Sequence, residues 1–284
     1  MAVLYAILPS YSQNTRFYKA DMMSSNWYND ICQDEDNYIW VGAYYGLYRF
    51  DGNEFKAYLH SDRDSTSLCN SMVRKLMLDR ENRLWVGTAN GIQYYRRGYD
   101  DFATVSFPDE GAFHVLDMCQ LSNGEIWAAV SGHGIYRIDP NTLKATMAYG
   151  CALYSNIYVT SLYEDSDGYL WVGTDRHGVS RINTSDGSFI RFDNTDGLHV
   201  QEILEDAASR VYVVTRENVL RYVRRESALV ELKCSDGQSP SFRSAALSSD
   251  GSIMLGTDGD GLWCIPKDES DRMYEYKATH TPFF

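Results

Sequence analysis

Apolar and polar positions alternate along the chain in short bursts. "VRKLML" (Val73–Leu78) and "VTSLYE" (Val159–Glu164) carry the period of two expected of a half-buried strand. A polar turn follows each, then a denser apolar burst headed by a large residue, as in "YIWVG" (Tyr38–Gly42) and "RLWVG" (Arg83–Gly87). This order recurs. Aligned on the large residue, the copies centre on Trp40, Trp85, Trp127, Trp171, Tyr212 and Met254, at spacings of 45, 42, 44, 41 and 42 residues. Six copies at a nearly fixed period mark a repeat architecture.

Each copy has the same internal order. The polar turns are Asp36-Asn37, Glu81-Asn82, Asn123-Gly124, Asp167-Gly168, Ala208-Ser209 and Asp250-Gly251, most of them pairs suited to tight hairpins. Past the anchor stands a glycine: Gly46, Gly91, Gly134, Gly178 or Gly261. Asn218 holds that place in the fifth copy, where it is expected to tolerate a positive φ. A third strand such as "GLYRF" and a fourth such as "EFKAYL" (Glu54–Leu59) complete the unit. Four short antiparallel strands every 41–45 residues predict an all-β fold, a β-propeller of four-stranded blades. The dense turns and period-2 alternation exclude a helical solenoid. "RFYKA" (Arg16–Ala20) reads as a surplus fourth strand, although the sixth copy has its own in "MYEYKA" (Met273–Ala278). The expectation is one propeller domain over 16–284, an incomplete seven-bladed propeller, with a closed six-bladed one as the alternative.

The stretch Ser24–Gly52, "SSNWYNDICQDEDNYIWVGAYYGLYRFDG", resembles a repeat of the two-component regulator propeller family. So do "LMLDRENRLWVGTANGI" and "SLYEDSDGYLWVGTDRHGV". The resemblance runs over about residues 16 to 278. It weakens in the fifth copy, which lacks the Trp and both glycines, and in the sixth, where Met254 replaces Trp. It implies the periplasmic sensor region of a hybrid two-component system of Bacteroidetes. There, two propellers and a small β-sandwich precede a transmembrane helix, a histidine kinase and a response regulator, and the sensor commonly detects oligosaccharides. No segment here matches a kinase, a receiver or a membrane anchor. The chain is therefore expected to be a fragment of such a sensor or a sensor propeller encoded alone, with signalling partners in the downstream domains of the full-length protein.

Composition narrows the choice of partner. The net charge of −13 repels phosphate backbones, so nucleic acid is not an expected partner. Ala2–Leu8 in "MAVLYAILPSYSQ" has the length of the apolar core of a secretory signal but lacks the basic start. Residues 1–15 therefore read as a clipped signal remnant or a disordered N-terminus. Six cysteines form no C-x-x-C pair, which leaves zinc and thioredoxin-type sites unsupported. Cys32 and Cys119 each lie eight residues before their anchors, equivalent positions two blades apart, and are expected to be free buried thiols.

No catalytic motif stands out, and no catalytic residue, metal or cofactor is expected. The carboxylate-rich turns "QDEDN" and "EDSDG" could hold calcium, but their recurrence points to hairpin chemistry. The Trp anchors are expected to pack blade against blade. Propeller geometry puts the links between second and third strands on one rim with the links between blades, and residues that vary within the repeat gather there. The binding candidates on this rim are Trp27, Tyr28, Tyr44, Tyr45, Asn90, His114, His133, Tyr158, Asp175, Arg176, His177, Arg216, Arg243 and Asp258. Aromatic faces with Arg, Asn, His and Asp suit a small-molecule or oligosaccharide ligand, and Arg176, Arg216 and Arg243 could hold an acidic group. His133 and His177, at matching points of adjacent copies, would be the acid/base pair of the second reading, a propeller lyase resembling streptogramin lyase. A third reading is a protein-interaction propeller, with a homodimer as one form.

Overall fold

A computed structural model of the chain describes residues 27–149, 158–234, 237, 239–268 and 271–276. The fold is all-β, six four-stranded antiparallel blades of a β-propeller with strands in sequence order. Blade 1 is β1 (Tyr28–Gln33), β2 (Ile39–Ala43), β3 (Gly46–Phe50) and β4 (Phe55–Tyr58). Blade 2 is β5 (Val73–Leu78), β6 (Leu84–Thr88), β7 (Gly91–Arg96) and β8 (Asp101–Thr104). Blade 3 is β9 (Val115–Gln120), β10 (Ile126–Val130), β11 (Gly134–Asp139) and β12 (Lys144–Tyr149). Blade 4 is β13 (Val159–Glu164), β14 (Tyr169–Thr174), β15 (Val179–Asn183) and β16 (Phe189–Phe192). Blade 5 is β17 (Val200–Glu205), β18 (Val211–Thr215), β19 (Val219–Val223) and β20 (Ala228–Glu231). Blade 6 is β22 (Phe242–Leu247), β23 (Ile253–Thr257), β24 (Leu262–Ile265) and β25 (Arg272–Glu275). A two-residue strand, β21 (Lys233–Cys234), runs parallel to β25. It is too short for any alternation to announce it. Blades 1–3 fall in one compact unit ending at Val159, and blades 4–6 in a second beginning at Thr160. "RFYKA" lies outside the described residues, as do the last two residues of "MYEYKA".

The turn between first and second strands explains the anchor. In blades 1, 2, 4 and 5 it opens with a buried aspartate: Asp34, Asp79, Asp165 or Asp206. One carboxylate oxygen accepts the backbone N–H groups two and four residues on, for example from Asp36 and Tyr38 (both 3.0 Å) onto Asp34. The other accepts the anchor: Trp40, Trp85 and Trp171 Nε1–H at 2.7, 2.7 and 2.8 Å, and the Tyr212 hydroxyl at 3.2 Å. The carboxylate-rich turns are thus hairpin chemistry, as their recurrence indicates. Their form is a longer loop than a two-residue hairpin. Only the last turn residue is left-handed: Asn37, Asn82, Gly124, Gly168, Ser209 and Gly251. Asn218, by contrast, does not take the positive φ anticipated for it. Its carbonyl and side-chain oxygens instead accept the Thr215 hydroxyl at 3.0 and 2.8 Å.

Above that turn the anchors pack blade against blade. The Trp40 ring lies 4.8 Å from Tyr95 of blade 2 and 5.8 Å from Tyr58 of its own blade. Trp171 repeats this with Tyr222 of blade 5 at 4.9 Å and Phe192 at 5.4 Å. An arginine on the third strand joins each cluster: Arg49 donates to the Tyr95 hydroxyl (2.9 Å) and Arg181 to the Tyr222 hydroxyl (3.3 Å). The glycine two residues past the anchor has a packing reason. A Cβ on Gly42 would meet Val73 Cγ1 at 2.7 Å, on Gly87 Val115 Cγ1 at 2.7 Å, and on Gly173 Val200 Cγ1 at 2.4 Å. The first strand of the next blade presses on that spot. First strands also bulge near their start in blades 1, 2, 3, 5 and 6, which adds twist before they pair. Cys32 and Cys119 face Trp40 and Trp127 in register, the equivalent placement expected of them. Burial pushes the Cys32 thiol far above its ordinary pKa. Among the described residues, no helix is long and apolar enough to cross a membrane.

Candidate functional site

At the end of each blade opposite the aspartate turns, the rim is built by backbone rather than by side chains. Within a blade, one N–H in the link between second and third strands donates to the residue just before the first strand. The pairs are Tyr44 to Trp27 (2.9 Å), Ala89 to Met72 (2.9 Å), Ser131 to His114 (2.8 Å), Arg216 to His199 (2.8 Å) and Asp258 to Ser241 (2.8 Å). A second bond reaches the following blade: Gly46 N–H to Ser71 O (2.6 Å), Gly91 to Phe113 (2.8 Å) and Arg176 to Leu198 (3.0 Å). The two loop sets are thereby held side by side, with their side chains left for other work. A recurring threonine closes the link. The Thr88, Thr174, Thr215 and Thr257 hydroxyls donate to the carbonyls of Gly91, Gly178, Asn218 and Gly261. The sequence reading passed over these threonines, although "WVGT" and "GTD" repeat in the chain.

In the first unit the rim of blade 1 is aromatic. Trp27, Tyr44 and Tyr45 are 76%, 43% and 58% exposed, and the two tyrosine rings meet edge to face at 5.1 Å. The Tyr45 carbonyl accepts the Tyr48 hydroxyl (2.8 Å), which fixes the loop beneath its ring. Tyr28 is half-buried, and burial, then the neighbouring Tyr48, raises its pKa. Asn90 is exposed, with its backbone N–H tied to Thr88. His114 is half-buried; burial and the Arg74 charge lower its pKa, and its Nε2 finds no hydrogen-bond partner among the described residues. His133 serves its own loop: Nδ1–H donates to Ser131 O (3.0 Å) and the ring tilts against Phe113. Tyr158 is exposed.

In the second unit the rim is charged and internally paired. Arg176, itself left-handed at φ 71°, donates from Nε to His199 Nε2 (3.0 Å). That nitrogen must accept, so Nδ1–H of His199 donates to Glu217 Oε1 (2.7 Å), while Asp175 Oδ1 stands 3.5 Å from Nε2. Burial opposes ionisation of Glu217, yet the His199 bond holds its pKa below the usual value. Arg243 grips Asp258 through Nε (3.2 Å) and a terminal nitrogen, which lowers the Asp258 pKa with a further pull from Arg216. His177 Nδ1–H donates to Asp175 O (3.2 Å) within its own link. Of the three arginines considered for an acidic group, two are therefore already engaged by rim partners. Glu217 and His199 are the members of this cluster that the choice of candidates left out. Their polar links named them, but nothing in the spacing foretold their pairing. Among the described residues, no group of three or more His, Cys, Asp or Glu is placed to hold a metal ion.

Three segments, residues 22–45, 67–90 and 154–176, match the family model described as two component regulator propeller. The chain carries two component regulator propeller repeats. Each matched segment ends within the rim link of its blade, so the repeat includes the aspartate turn, the anchor and the start of the variable loop. No curated protein matches the chain. Among solved structures, the propeller superposes on the extracellular domains of two hybrid two-component systems of B. thetaiotaomicron. One gives a TM-score of 0.76 at 20% identity over 91% of this chain and 37% of that one. The other gives 0.73 at 19% identity over 85% and 34%. The chain thus spans about a third of the length of these structures. Virginiamycin B lyase of Staphylococcus aureus also superposes, with a TM-score of 0.69 at 14% identity over 90% of this chain and 85% of that one. At such identities the likeness is one of fold.

Proposed function

We propose that this propeller is a non-catalytic, periplasmic ligand-sensing module of a two-component signalling protein. It recognises an oligosaccharide at the blade 1 rim and relays binding to a kinase in domains outside this chain. The repeats and the hybrid two-component neighbours support the signalling part. One observation carries the ligand part: Trp27, Tyr44 and Tyr45 are exposed together on two links joined by the Tyr44–Trp27 backbone bond. Large rings held on a fixed backbone lose little entropy on binding, and apolar sugar faces stack on them.

The test is a tryptophan-fluorescence and calorimetry screen against a panel of oligosaccharides, with product analysis of every mixture. A saturable response with intact sugar, weakened at least about tenfold in Trp27→Ala and in Tyr44→Ala/Tyr45→Ala, supports sensing at this rim. Binding that ignores these substitutions overturns the site. Product formation overturns the non-catalytic reading in favour of a lyase. Absence of any response with concentration-dependent dimerisation favours the interaction module.

A further inference from the structure

The aspartate-turn ends of blades 1–3, all within the first unit, carry two adjoining clefts of about 450 and 750 Å³ that share Glu81 and Arg83. The smaller lies between the turns of blades 1 and 2 and is walled by Tyr94, Tyr99 and Arg97; the larger lies between blades 2 and 3 and is walled by Asn123, Arg137 and Asn141. Both volumes fall in the range of small-ligand sites. No candidate from the rim lines either cleft.

The chemistry of the walls is specific in two respects. First, the charges balance. Counting shared residues once, the two linings hold five Arg or Lys and five Asp or Glu, in a chain of net charge −13. Such a wall offers no net field to draw in an anion or a cation. Second, its planar groups are held in place beforehand. Arg83 is fixed by Asp79 (2.6 Å) and Glu81 (3.0 Å), Arg96 by both oxygens of Asp101 (2.6 Å each), and Arg97 by Asp34 (2.9 Å) and Asp36. A guanidinium anchored through part of its fork keeps further N–H groups to point at hydroxyls. Tyr99 stands 78% exposed at the lip, its ring 5.1 Å from the Arg96 guanidinium carbon. A large open aromatic ring beside pre-set neutral-sum polar groups fits a ligand with apolar C–H faces and many hydroxyls.

We propose that these adjoining clefts form a binding groove for a neutral oligosaccharide, distinct from the blade 1 rim. The proposal goes beyond the rim reading and does not depend on it. The groove joins three successive blades, so an extended chain of sugars would bridge turns that the Arg97–Asp34 contact already ties together.

The test uses the whole 284-residue chain and isothermal calorimetry. The probes are maltohexaose, cellohexaose and xylohexaose, with a chondroitin sulfate hexasaccharide and a neutral Gly-Ser hexapeptide as contrasts. The proposal expects at least one neutral hexasaccharide to bind. It expects Tyr99→Ala and Arg137→Ala each to weaken that binding about tenfold, and Tyr44→Ala/Tyr45→Ala to leave it within about twofold. Tyr99 and Arg137 are exposed enough that thermal melts should confirm unchanged folding. Absence of binding by all three neutral probes overturns the groove, as does preference for the sulfated probe or the peptide. Loss of binding only in the Tyr44/Tyr45 variant also overturns the groove while leaving the rim reading intact. Loss only in the Tyr99 and Arg137 variants supports the groove and removes the rim from oligosaccharide binding.

Discussion

The two ends of a blade are held by different means. At the turn end of blade 4, Asp165 gathers two backbone N–H groups, the Trp171 indole and the Arg181 guanidinium around one buried carboxylate. At the rim end of blade 1, Tyr44 and Trp27 are joined by a backbone bond while their side chains project outward. Where side chains make the scaffold, the residue type is constrained and the sequence repeats. Where the backbone makes it, the residue type is open, and one rim can be aromatic while another carries a paired set of charges. The difference explains why binding candidates gather at the rim and why the turn ends look alike from blade to blade.

The largest expected effect breaks the turn end. Asp165→Ala leaves Arg181, almost fully buried, without its main counter-charge and removes the acceptor of the Trp171 indole. Unfolding in urea should show a loss of about 3–5 kcal/mol, the scale for breaking a buried pair from one side. A loss near zero would mean that the turn does not hold the blade.

Next comes the contact between neighbouring blades. Gly173→Ala places a methyl group 2.4 Å from Val200 Cγ1. Its expected cost is about 1–3 kcal/mol. Val200→Ala in the same chain should recover part of that loss, so the double variant is the informative measurement.

A smaller effect is set by pH. Burial raises the pKa of Asp100, but hydrogen bonds from Lys56, Tyr95 and Tyr58 outweigh it and hold the carboxyl down at about 2. A depressed carboxyl pKa stabilises the fold above the unfolded value, near pH 4, and that contribution is lost as pH falls through about 2. Asp100→Asn should therefore flatten the stability profile across this window while changing little of its slope above pH 5. The carboxylate is partly exposed, so solvent screening keeps the effect modest.

The smallest effect belongs to the rim. Tyr44→Ala/Tyr45→Ala should shift stability by no more than about 0.5 kcal/mol, because both rings are exposed and the backbone bond survives. A larger loss would show that the aromatic rim is structural and would erase the contrast with Asp165.

Much of the fold was legible in the chain. The 41–45-residue period, the large anchor and the positions of the turns are all visible because each blade solves the same packing problem. The turn geometry was only half legible. The left-handed residue is the second of each polar pair, but the leading aspartate, two or more residues earlier, does most of the bonding. At the candidate sites less could be read. That Arg243 is committed to Asp258, and Arg176 to His199, depends on contacts 15 and 23 residues apart. The groove joins turns of three different blades.

The sequence by itself determined the repeat: period-2 alternation forces strands, the regular spacing forces four to a blade, and the large anchor recurs because every blade must bury the same seam. The tertiary structure decided which polar groups are already partnered and which remain available to a ligand. Ion pairs and clefts form between segments that are distant in the chain, and a local pattern carries no record of them.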